Sequence, residues 1–288
     1  DKFVIGHFTF VICYLKEAGA RAPSQPANYS KLMRICRFKT SGVSTAHFGV
    51  LEGESILPLP EDIQLGASIQ SSVALSKALL LAPVTPSKVV CVGRNYVEHA
   101  AELGNKMPDE PLLFLKAPSA IIGDGDHIDL PTQSKQVEHE GELGVVIGKI
   151  AHNIRDDENP LSYVLGYTCV NDVTARDLQR KDVQFTRGKS FDSFCPVGPT
   201  IVTDLLPDNL TVTTRVNGVV KQNGNTADMA FPVPFLIRYI SNIMTLNPGD
   251  LIATGTPAGV SAIKHGDVVE VEVSGIGVLR NPVRTKTS

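Results

Sequence analysis

The chain has 288 residues, of which 27 are lysine or arginine and 30 are aspartate or glutamate, giving a net charge of −3. This balance, with 6% aromatic residues and no tryptophan, argues against a nucleic-acid-binding surface, which needs clustered basic charge and stacking rings. The length and the 42% of hydrophobic residues suffice for a sizeable core, so we expect one large domain, or one large and one small domain.

The first 32 residues are predicted to be an extension or linker. Residues 3–15 are apolar, but this run is shorter than the ~20 residues that a membrane-spanning helix needs, so no membrane span is expected. A signal-peptide core and an organelle-targeting segment remain the alternatives for this region. The proline-containing stretch 22–28 has the composition of an irregular linker, and Met33 is a natural start for the folded part.

The five cysteines are scattered along the chain and include no C-x-x-C pair. This pattern predicts neither a disulfide framework nor a zinc ribbon. Buried thiols in a reducing compartment fit the pattern better, and we therefore expect a cytoplasmic or mitochondrial location.

Residues 33–84 are predicted to form a small N-terminal domain. Two short strands, at 47–51 and 55–59, flank a turn at residues 52–54. The stretch 72–81 is predicted to be helical. Short strands joined by turns thus precede the larger part of the chain.

Residues 87–288 are predicted to form one catalytic domain with an α+β, mostly β, fold. Strands alternate with short helices and many glycine and proline turns, without the long regular crossovers of a doubly wound sheet. Residues 211–220 indicate a hairpin that turns at the dipeptide Asn217-Gly218. Residues 235–244 have the pattern of an amphipathic helix, and 268–273 alternate valine and glutamate as a strand does.

Two glutamates one residue apart carry the strongest functional signal. Glu140 and Glu142 precede an apolar, β-branched run that indicates a buried strand. Side chains two residues apart in a strand share a face, so both carboxylates are expected to project together, with Glu138 behind them. Crowded and desolvated carboxylates repel each other unless a cation binds them. The alternative is a solvated strand end whose charges face water.

A third carboxylate, Asp172, follows Asn171 at the end of another apolar run. A lone acid is unusual directly after a buried strand. If Asp172 meets Glu140 and Glu142, the three form an all-oxygen site that suits Mg2+, or Mn2+ or Ca2+, and not zinc.

The segment after this acid is open to a second interpretation. Asp172 has the residue type of a helix N-cap, with residues 174–179 as the first turns of the helix. Within such a helix Arg176 and Asp177 are expected to be ordinary surface charges. Gln179 either offers a neutral donor to a ligand or fills the helix face.

A histidine and a glutamate three residues apart form a candidate catalytic pair. His99 and Glu102 lie in a short helical stretch, where residues i and i+3 are neighbours. Glu102 can then orient His99 and raise its basicity, as general-base catalysis requires. The alternative is an exposed helix pair of little consequence. Arg94 either binds a substrate carboxylate with two hydrogen bonds or is a surface charge after a strand.

Three further polar residues are candidates on residue type alone. Lys189, after a glycine and close to Phe191, can donate to an oxyanion or to a ligand carboxylate, or else is a surface charge. Lys116 ends an apolar run, and its alternative is to extend its amine to solvent at a sheet edge. Thr254 offers a hydroxyl beside a flexible glycine, or belongs to a simple turn.

Five stretches, taken in order, resemble the fumarylacetoacetate hydrolase family. They are residues 92–102, 140–142, 171–177, 187–192 and 251–260. Each stretch is weak alone, but their order is specific, and the match runs from about Met33 to about Pro282. The resemblance implies a mixed β-sandwich roll with short capping helices, and a homodimer.

The resemblance also implies roles for the candidate residues. Glu140, Glu142 and Asp172 are implied to hold Mg2+, and the His99–Glu102 pair to lie on a lid that orders over a small 2-oxo acid substrate. The other implied site residues are Lys189 for catalysis and Arg94, Lys116, Gln179 and Thr254 for substrate binding.

The chemistry implied by the resemblance passes through an enolate of a 2-oxo acid. Our leading hypothesis is hydrolysis of a carbon–carbon bond in a 2,4-dioxo acid such as an acylpyruvate or fumarylpyruvate, because the histidine–glutamate pair favours water activation. The alternatives are decarboxylation or tautomerisation of oxaloacetate and isomerisation of an unsaturated 2-oxo dioate. The complete set of catalytic residue types argues against a protein that only binds the oxo acid.

Overall fold

The computed structural model of the protein describes residues 32–59 and 71–285. Nearly all of the predicted extension, residues 1–31, lies outside this part of the chain, and its role stays a prediction. The described residues form three sheets with short helices, so the predicted mostly β fold class is confirmed. Within these ranges no helix has the length and apolar character of a membrane-spanning segment.

The strands are short, and many contain the β-branched residues that suit a pleated, half-buried surface. In chain order they are β1 (Arg34–Thr40), β2 (His47–Glu52), β3 (Ser55–Pro58), β4 (Val73–Ala74), β5 (Ala78–Leu81), β6 (Val89–Gly93), β7 (Leu112–Lys116), β8 (Ile121–Ile122), β9 (Ile128–Leu130), β10 (Val137–His139), β11 (Gly141–Ile147), β12 (Val164–Asn171), β13 (Thr174–Ala175), β14 (Cys195–Val202), β15 (Thr211–Val216), β16 (Val219–Asn225), β17 (Leu251–Ala253), β18 (Ser261–Ala262), β19 (Val268–Val273) and β20 (Gly277–Thr285).

The helices of the described chain are few and short. The α-helices are α1 (Val97–Glu102), α2 (Arg176–Lys181), α3 (Thr186–Lys189) and α4 (Val233–Ser241), and the 3-10 turns are Leu75–Lys77, Pro118–Ala120, Pro160–Tyr163 and Thr226–Asp228. The helix predicted at residues 235–244 is confirmed as α4, which begins earlier because Pro234 fits the first turn of a helix.

The N-terminal strands extend the large sheet of the protein. β1 pairs with β14 through Ile35 and Ile201, so the first strands continue the sheet of the larger part. The helix predicted at residues 72–81 is wrong, since this segment forms β4, a 3-10 turn and β5. β5 pairs with β1, placing Leu80 opposite Phe38, and this pairing overrides the local helical preference.

The large sheet brings four strand ends to one edge. Its main path runs β4-β3-β2-β1-β14-β12-β11-β17-β6-β7, with β5 and β8 paired to β1 and β14. β11 runs antiparallel to both neighbours, pairing Gly141 with Asn171 and Gly144 with Ala253. β6 is parallel to β17. The start of β11 and the ends of β12, β17 and β6 therefore meet, and the segments that leave them converge.

A five-stranded sheet, in the order β16-β15-β19-β20-β9, packs against the large sheet and makes the fold a sandwich. The predicted hairpin is confirmed as β15 and β16, with Asn217 and Gly218 at φ values of 52° and 77°, as the tight two-residue turn requires. The predicted strand at 268–273 is β19. A third sheet, β13-β10-β18, lies beside these two.

Apolar side chains of the two layers fill the interior. Leu143 and Val145 of β11 belong to one buried cluster with Val271 and Val273 of β19. Burying each such side chain contributes about 1.5–3 kcal/mol, which anchors the strands whose ends carry the polar residues. The four cysteines of the described chain are buried free thiols, as predicted: Cys36, Cys91, Cys169 and Cys195.

Candidate active site

The acidic segment is held at a bend between two sheets. β10 ends at His139 and β11 begins at Gly141 in a different sheet, so the single strand predicted here is broken at Glu140. The Glu140 N–H donates to Asn171 Oδ1 over 3.0 Å, and the Asp172 N–H donates to the Glu140 carbonyl over 2.8 Å. These bonds fix the bend against the end of β12.

Three carboxylates meet at this bend, and we call Glu140, Glu142 and Asp172 the acidic cluster. One oxygen from each lies within 4.8 Å of the others, and the residues are 4%, 2% and 1% exposed. The alternative of a solvated strand end is therefore wrong. Asp172 is also not a helix cap, because α2 begins at Arg176 with Ala175 as its N-cap. Buried carboxylates at this spacing fit a hard divalent cation bound through oxygen.

Two buried lysines contact the acidic cluster. Lys189 Nζ lies 2.8 Å from Glu140 and 2.6 Å from Asp172. Lys116 Nζ lies 2.6 Å from Asp172 and 3.1 Å from the Val173 carbonyl. Burial would lower the pKa of Lys189, but Asp172 and Glu140 raise it, so this amine stays charged. Lys116 is 1% exposed, which rules out an amine that reaches solvent at a sheet edge.

Arg176 is buried, and the expectation of a surface charge at this position is wrong. Its guanidinium donates to Glu138 over 2.7 Å and to Gln179 over 2.6 Å, and it also pairs with Glu140. Burial would lower the pKa of Arg176, but the charges of Glu140 and Glu138 raise it. The residue is turned inward because α2 starts here, directly beside β10.

Within the described residues, Glu142 is the member of the acidic cluster without an ion-pair partner. Its Oε2 accepts the N–H of Gly255 over 2.8 Å. Burial, together with the charges of Asp172 and Glu140, raises the pKa of Glu142 well above its usual range. Burial acts in the same direction on Glu140, but the Lys189 charge holds the pKa of Glu140 well below its usual range. A bound cation would therefore relieve repulsion mainly at Glu142.

The segment after β17 brings the Gly255 N–H to this carboxylate. Gly255 has a φ of +101°, and a Cβ there would lie 2.7 Å from the Asn95 Cβ and 3.0 Å from the Val92 carbonyl oxygen. Only glycine fits this close approach. The Asn95 amide donates to the Thr254 carbonyl over 2.8 Å and accepts from the Phe231 N–H over 2.8 Å. Asn95 thus ties the segment before α1 to the one after β17.

The histidine–glutamate pair lies on α1. His99 is 5% exposed, and its Nδ1 lies 3.3 Å from Glu102 Oε2. The Glu102 oxygens also accept the N–H of Gly259, at 3.1 and 3.2 Å. His99 is therefore not part of a merely exposed helix pair. Nδ1 is thus occupied by the contact with Glu102, and no hydrogen bond to Nε2 occurs among the described residues.

A cavity of about 290 Å³ lies against the acidic cluster. The cluster and the predicted residues Arg94, His99, Gln179 and Lys189 all line it. Its apolar wall includes Leu112, Phe114 and Phe185. One cavity thus brings together the acidic cluster, a buried imidazole and several basic side chains.

Two predicted residues do not line the cavity. Lys116 contacts Asp172 but does not reach the cavity. The Thr254 hydroxyl donates to the Leu143 carbonyl over 2.8 Å. Thr256 lines the cavity instead, two residues further along. Strand pairing explains the difference. The Thr254 N–H donates to the Leu143 carbonyl, so the pairing of β17 with β11 continues through this residue.

Two further arginines, Arg94 and Arg180, line the cavity. Arg94 has a φ of 56°, which is uncommon outside glycine and recurs at functional sites. Arg180 makes one long contact, 3.5 Å to Gln136 Oε1. Among the described residues neither guanidinium forms an ion pair with a carboxylate. Both are available to an anionic ligand.

Sequence reasoning missed four residues that shape the site: Asn95, Arg176, Gln222 and Thr256. Asn95 stands within a stretch that was singled out for Arg94 and His99, so its position was a usable signal. Gln222 lies on a strand of mostly exposed residues and carried no signal. Its importance depends on contacts with residues far along the chain.

Known families and relatives match most of the chain. Residues 88–284 match the family described as fumarylacetoacetate (FAA) hydrolase, C-terminal, and residues 33–83 match the one described as Rv2993c-like, N-terminal. Oxaloacetate tautomerase fahd2, mitochondrial, of Xenopus laevis is 44% identical over 93% of this chain and 96% of that protein. Oxaloacetate tautomerase FAHD2A, mitochondrial, of Bos taurus is 40% identical over 91% of this chain and 94% of that protein.

A solved structure is similar at the level of the whole fold. The 2-hydroxyhepta-2,4-diene-1,7-dioate isomerase from Mycobacterium marinum is 41% identical and superposes with a TM-score of 0.79. The match covers 89% of this chain and 100% of that chain.

Proposed function

The chain belongs to the fumarylacetoacetate hydrolase family, and from that premise we propose that it is a divalent-metal-dependent enzyme that interconverts the keto and enol forms of oxaloacetate. The observation that carries the proposal is the single cavity that holds the acidic cluster and His99 together. Two relatives named as oxaloacetate tautomerases, each matched over more than 90% of both chains, support the choice of substrate.

The acidic cluster fits a hard cation such as Mg2+, with Mn2+ and Ca2+ as alternatives. Its three carboxylates are buried and within 4.8 Å of one another, and Glu142 lacks a cationic partner among the described residues. Glu140, Glu142 and Asp172 would hold the ion. When bound, the ion would supply Lewis-acid polarisation of the 2-oxo group and so lower the cost of placing negative charge on its oxygen.

His99 is the base that the geometry offers for this reaction. Removing one proton from C3 of oxaloacetate moves an electron pair to the C2 oxygen, and protonation of that oxygen gives the enol. His99 Nε2 takes the C3 proton, since Nδ1 faces Glu102. Glu102 is fixed by the Gly259 N–H and stabilises the imidazolium that forms.

The cationic residues around the cluster keep its carboxylates in place. Lys189 contacts Glu140 and Asp172, while Arg176 links Glu140 to Gln179. Lys189 also lines the cavity, where its amine can donate to the developing oxyanion. We propose Lys189 and Arg176, which both line the cavity, as the substrate contacts at the metal end.

The second carboxylate of oxaloacetate has a cationic counterpart in the cavity. Arg94 and Arg180 both line it, and neither has an ion-pair partner among the described residues. A guanidinium can bind a carboxylate with two parallel hydrogen bonds. This charge favours a dicarboxylate over an acylpyruvate with an uncharged tail.

Hydrolysis of a 2,4-dioxo acid is the second candidate, and the His99–Glu102 contact favours it. The same imidazole can deprotonate a water molecule instead of carbon, and the hydroxide then attacks the distal carbonyl. Decarboxylation of oxaloacetate would use the same enolate. The reactions are distinguished by their products, because tautomerisation releases neither an acid nor carbon dioxide.

The test is an assay of the purified protein with Mg2+ for three reactions of two substrates, oxaloacetate and acetylpyruvate. Loss of the enol absorbance of oxaloacetate reports tautomerisation, pyruvate formation reports decarboxylation, and loss of the dioxo chromophore of acetylpyruvate reports hydrolysis. We expect the first reaction to exceed the uncatalysed rate, and to vanish with EDTA. Catalysis of acetylpyruvate cleavage alone would replace the proposal with the second candidate, and no turnover of any substrate would refute both.

We also propose a homodimer and a mitochondrial or cytoplasmic location. Both tautomerase relatives are named as mitochondrial. Light scattering at micromolar concentration tests the assembly, with a monomer mass as the contradicting result. Fractionation of the source cells tests the location.

A further inference from the structure

Gln222 is the one fully buried side chain in the middle of β16, where the residues on either side are exposed. Its Oε1 accepts from the Gly141 N–H over 2.9 Å and lies 3.2 Å from His139 Nδ1. Its Nε2 donates to the Thr256 hydroxyl and to the Pro257 carbonyl, each over 2.7 Å. The side chain therefore joins the bend before β11 to the segment after β17.

The orientation of this amide is fixed by its partners. The Gly141 N–H can only donate and the Pro257 carbonyl can only accept, so Oε1 and Nε2 cannot exchange places. The Thr256 hydroxyl, which accepts from Nε2, donates in turn to the Gly141 carbonyl over 2.8 Å. Gly141, Gln222 and Thr256 thus form a closed ring of hydrogen bonds, which we call the glutamine ring.

The glutamine ring lies between the two functional parts of the site. On one side is Gly141, the residue between two members of the acidic cluster. On the other side is the segment that donates the Gly255 N–H to Glu142 and the Gly259 N–H to Glu102. A shift of Gln222 would displace Gly141 and also the N–H donors of Gly255 and Gly259.

The Thr214, Val271 and Gln222 side chains crowd Gly141 on the face where a Cβ would project. A Cβ on Gly141 would lie 2.0 Å from Thr214 Oγ1 and 3.2 Å from Val271 Cγ1. Gln222 Oε1 would lie 3.4 Å from the same Cβ, so it belongs to this crowded face and accepts the Gly141 N–H there. The Gln222 side chain therefore helps to fix the position of the Gly141 peptide, and with it the direction of the flanking carboxylates.

We propose that Gln222 is a positioning residue that couples the acidic cluster to the His99–Glu102 pair. The coupling runs through the glutamine ring to Gly141 on one side and through Pro257 to Gly259 on the other. This inference rests on the proposed function for the roles of the two groups. Outer partners of metal ligands commonly affect metal affinity by about 10–100-fold when lost.

The experiment compares Gln222→Met with Lys221→Met in the full chain. Both changes introduce the same side chain on β16, but Lys221 is exposed and its side chain takes no part in the glutamine ring. Calorimetric titration with Mn2+ measures the cluster, and hydrogen exchange of the peptide spanning residues 97–102 measures α1 in metal-free protein. We expect Gln222→Met to weaken Mn2+ binding roughly tenfold and to speed exchange in α1, with Lys221→Met unchanged in both.

Equal Mn2+ affinity and equal exchange in the two variants would overturn the inference. If Gln222→Met does not fold, Thr256→Val and Thr256→Ser replace the pair, because only serine keeps the hydroxyl that closes the glutamine ring. The valine variant is then expected to show both effects and the serine variant neither, and identical behaviour of the two would overturn the inference. A wild-type protein that binds no Mn2+ would refute the metal-dependent function, whereas the exchange of α1 would still decide the role of Gln222.

Discussion

The backbone N–H of Asp172 donates a hydrogen bond of 2.8 Å to the carbonyl oxygen of Glu140. This bond ties the end of β12 to the bend before β11, so two carboxylates of the acidic cluster are brought together by the main chain. The main chain thereby enforces an approach of like charges that free side chains would avoid. We therefore expect this main-chain bend to persist when the Glu142 side chain is removed.

Removing Glu142 is expected to weaken cation binding without unfolding the protein. Glu142→Ala leaves two carboxylates, which hold a divalent ion less well than three, and we expect Mg2+ affinity to fall by at least about tenfold. Isothermal titration calorimetry measures the change. Glu98→Ala, which removes an exposed acid on α1, is the matched control, and equal affinities in the two variants would contradict the site.

Replacing His99 is expected to separate the base from the cation site. His99→Ala should leave Mg2+ binding intact, because the imidazole is not a member of the acidic cluster. Turnover of oxaloacetate should fall by about 10²–10⁴-fold, the usual contribution of a positioned base. Glu102→Gln should cause a smaller loss, since it orients the base and does not touch the substrate. Full turnover in His99→Ala would return the pair to a structural role.

Arg176 is expected to matter for stability as well as for the site. Arg176→Met leaves Glu138 and Glu140 buried beside an apolar side chain, and breaking a buried ion pair in this way costs about 3–5 kcal/mol of the free energy of unfolding. Urea denaturation measures this loss. The exposed Arg180, on the same helix, provides the control Arg180→Met, for which a change within about 0.5 kcal/mol is expected. Similar losses in both variants would show that the buried pairs contribute little.

Arg180 is expected to act on substrate affinity instead. Arg180→Met removes a cation from the cavity and should raise KM for oxaloacetate by about 10- to 150-fold, which corresponds to about 1.5–3 kcal/mol for a hydrogen bond to a charged group. Inhibition by oxalate, which occupies only the metal end, should be unchanged. A parallel loss of oxalate binding would place Arg180 at the metal end and not at the distal carboxylate.

The metal-free protein is expected to lose stability as the pH rises above about 4.5. Burial and the neighbouring charges of Asp172 and Glu140 raise the pKa of Glu142 above its ordinary value of 4.5. The folded state then keeps a proton that the unfolded chain has lost, so the free energy of unfolding falls with pH until the folded group ionises. Glu140, whose pKa is depressed, acts in the opposite sense, but only below pH 4.5.

Denaturation in EDTA between pH 5 and pH 8 measures this effect. Glu142→Gln cannot ionise and should flatten the pH dependence, and saturating Mg2+ should do the same in the wild-type protein. A slope in Glu142→Gln equal to that of the wild-type protein would assign the pH dependence to other groups.

The sequence by itself determined the features that depend on neighbours along the chain. The Asn217-Gly218 dipeptide predicted its turn because only certain residues adopt positive φ without cost. The valine–glutamate alternation at 268–273 predicted β19 because a strand has a period of two residues. The acidic residues Glu140, Glu142 and Asp172 were recognisable because carboxylates are rare beside apolar runs.

Only the tertiary structure decided which charges are buried and which atoms meet. Arg176 looked like a helix-surface charge until the pairing of β10 with β13 brought it over Glu138 and Glu140. The segment at 72–81 became two strands because β1 offered it a partner. Gln222 connects β16 with β10, with β11 and with the segment after β17, which are all distant from it in sequence. These outcomes depend on long-range pairing, whose free energy exceeds the local preferences that a sequence pattern reports.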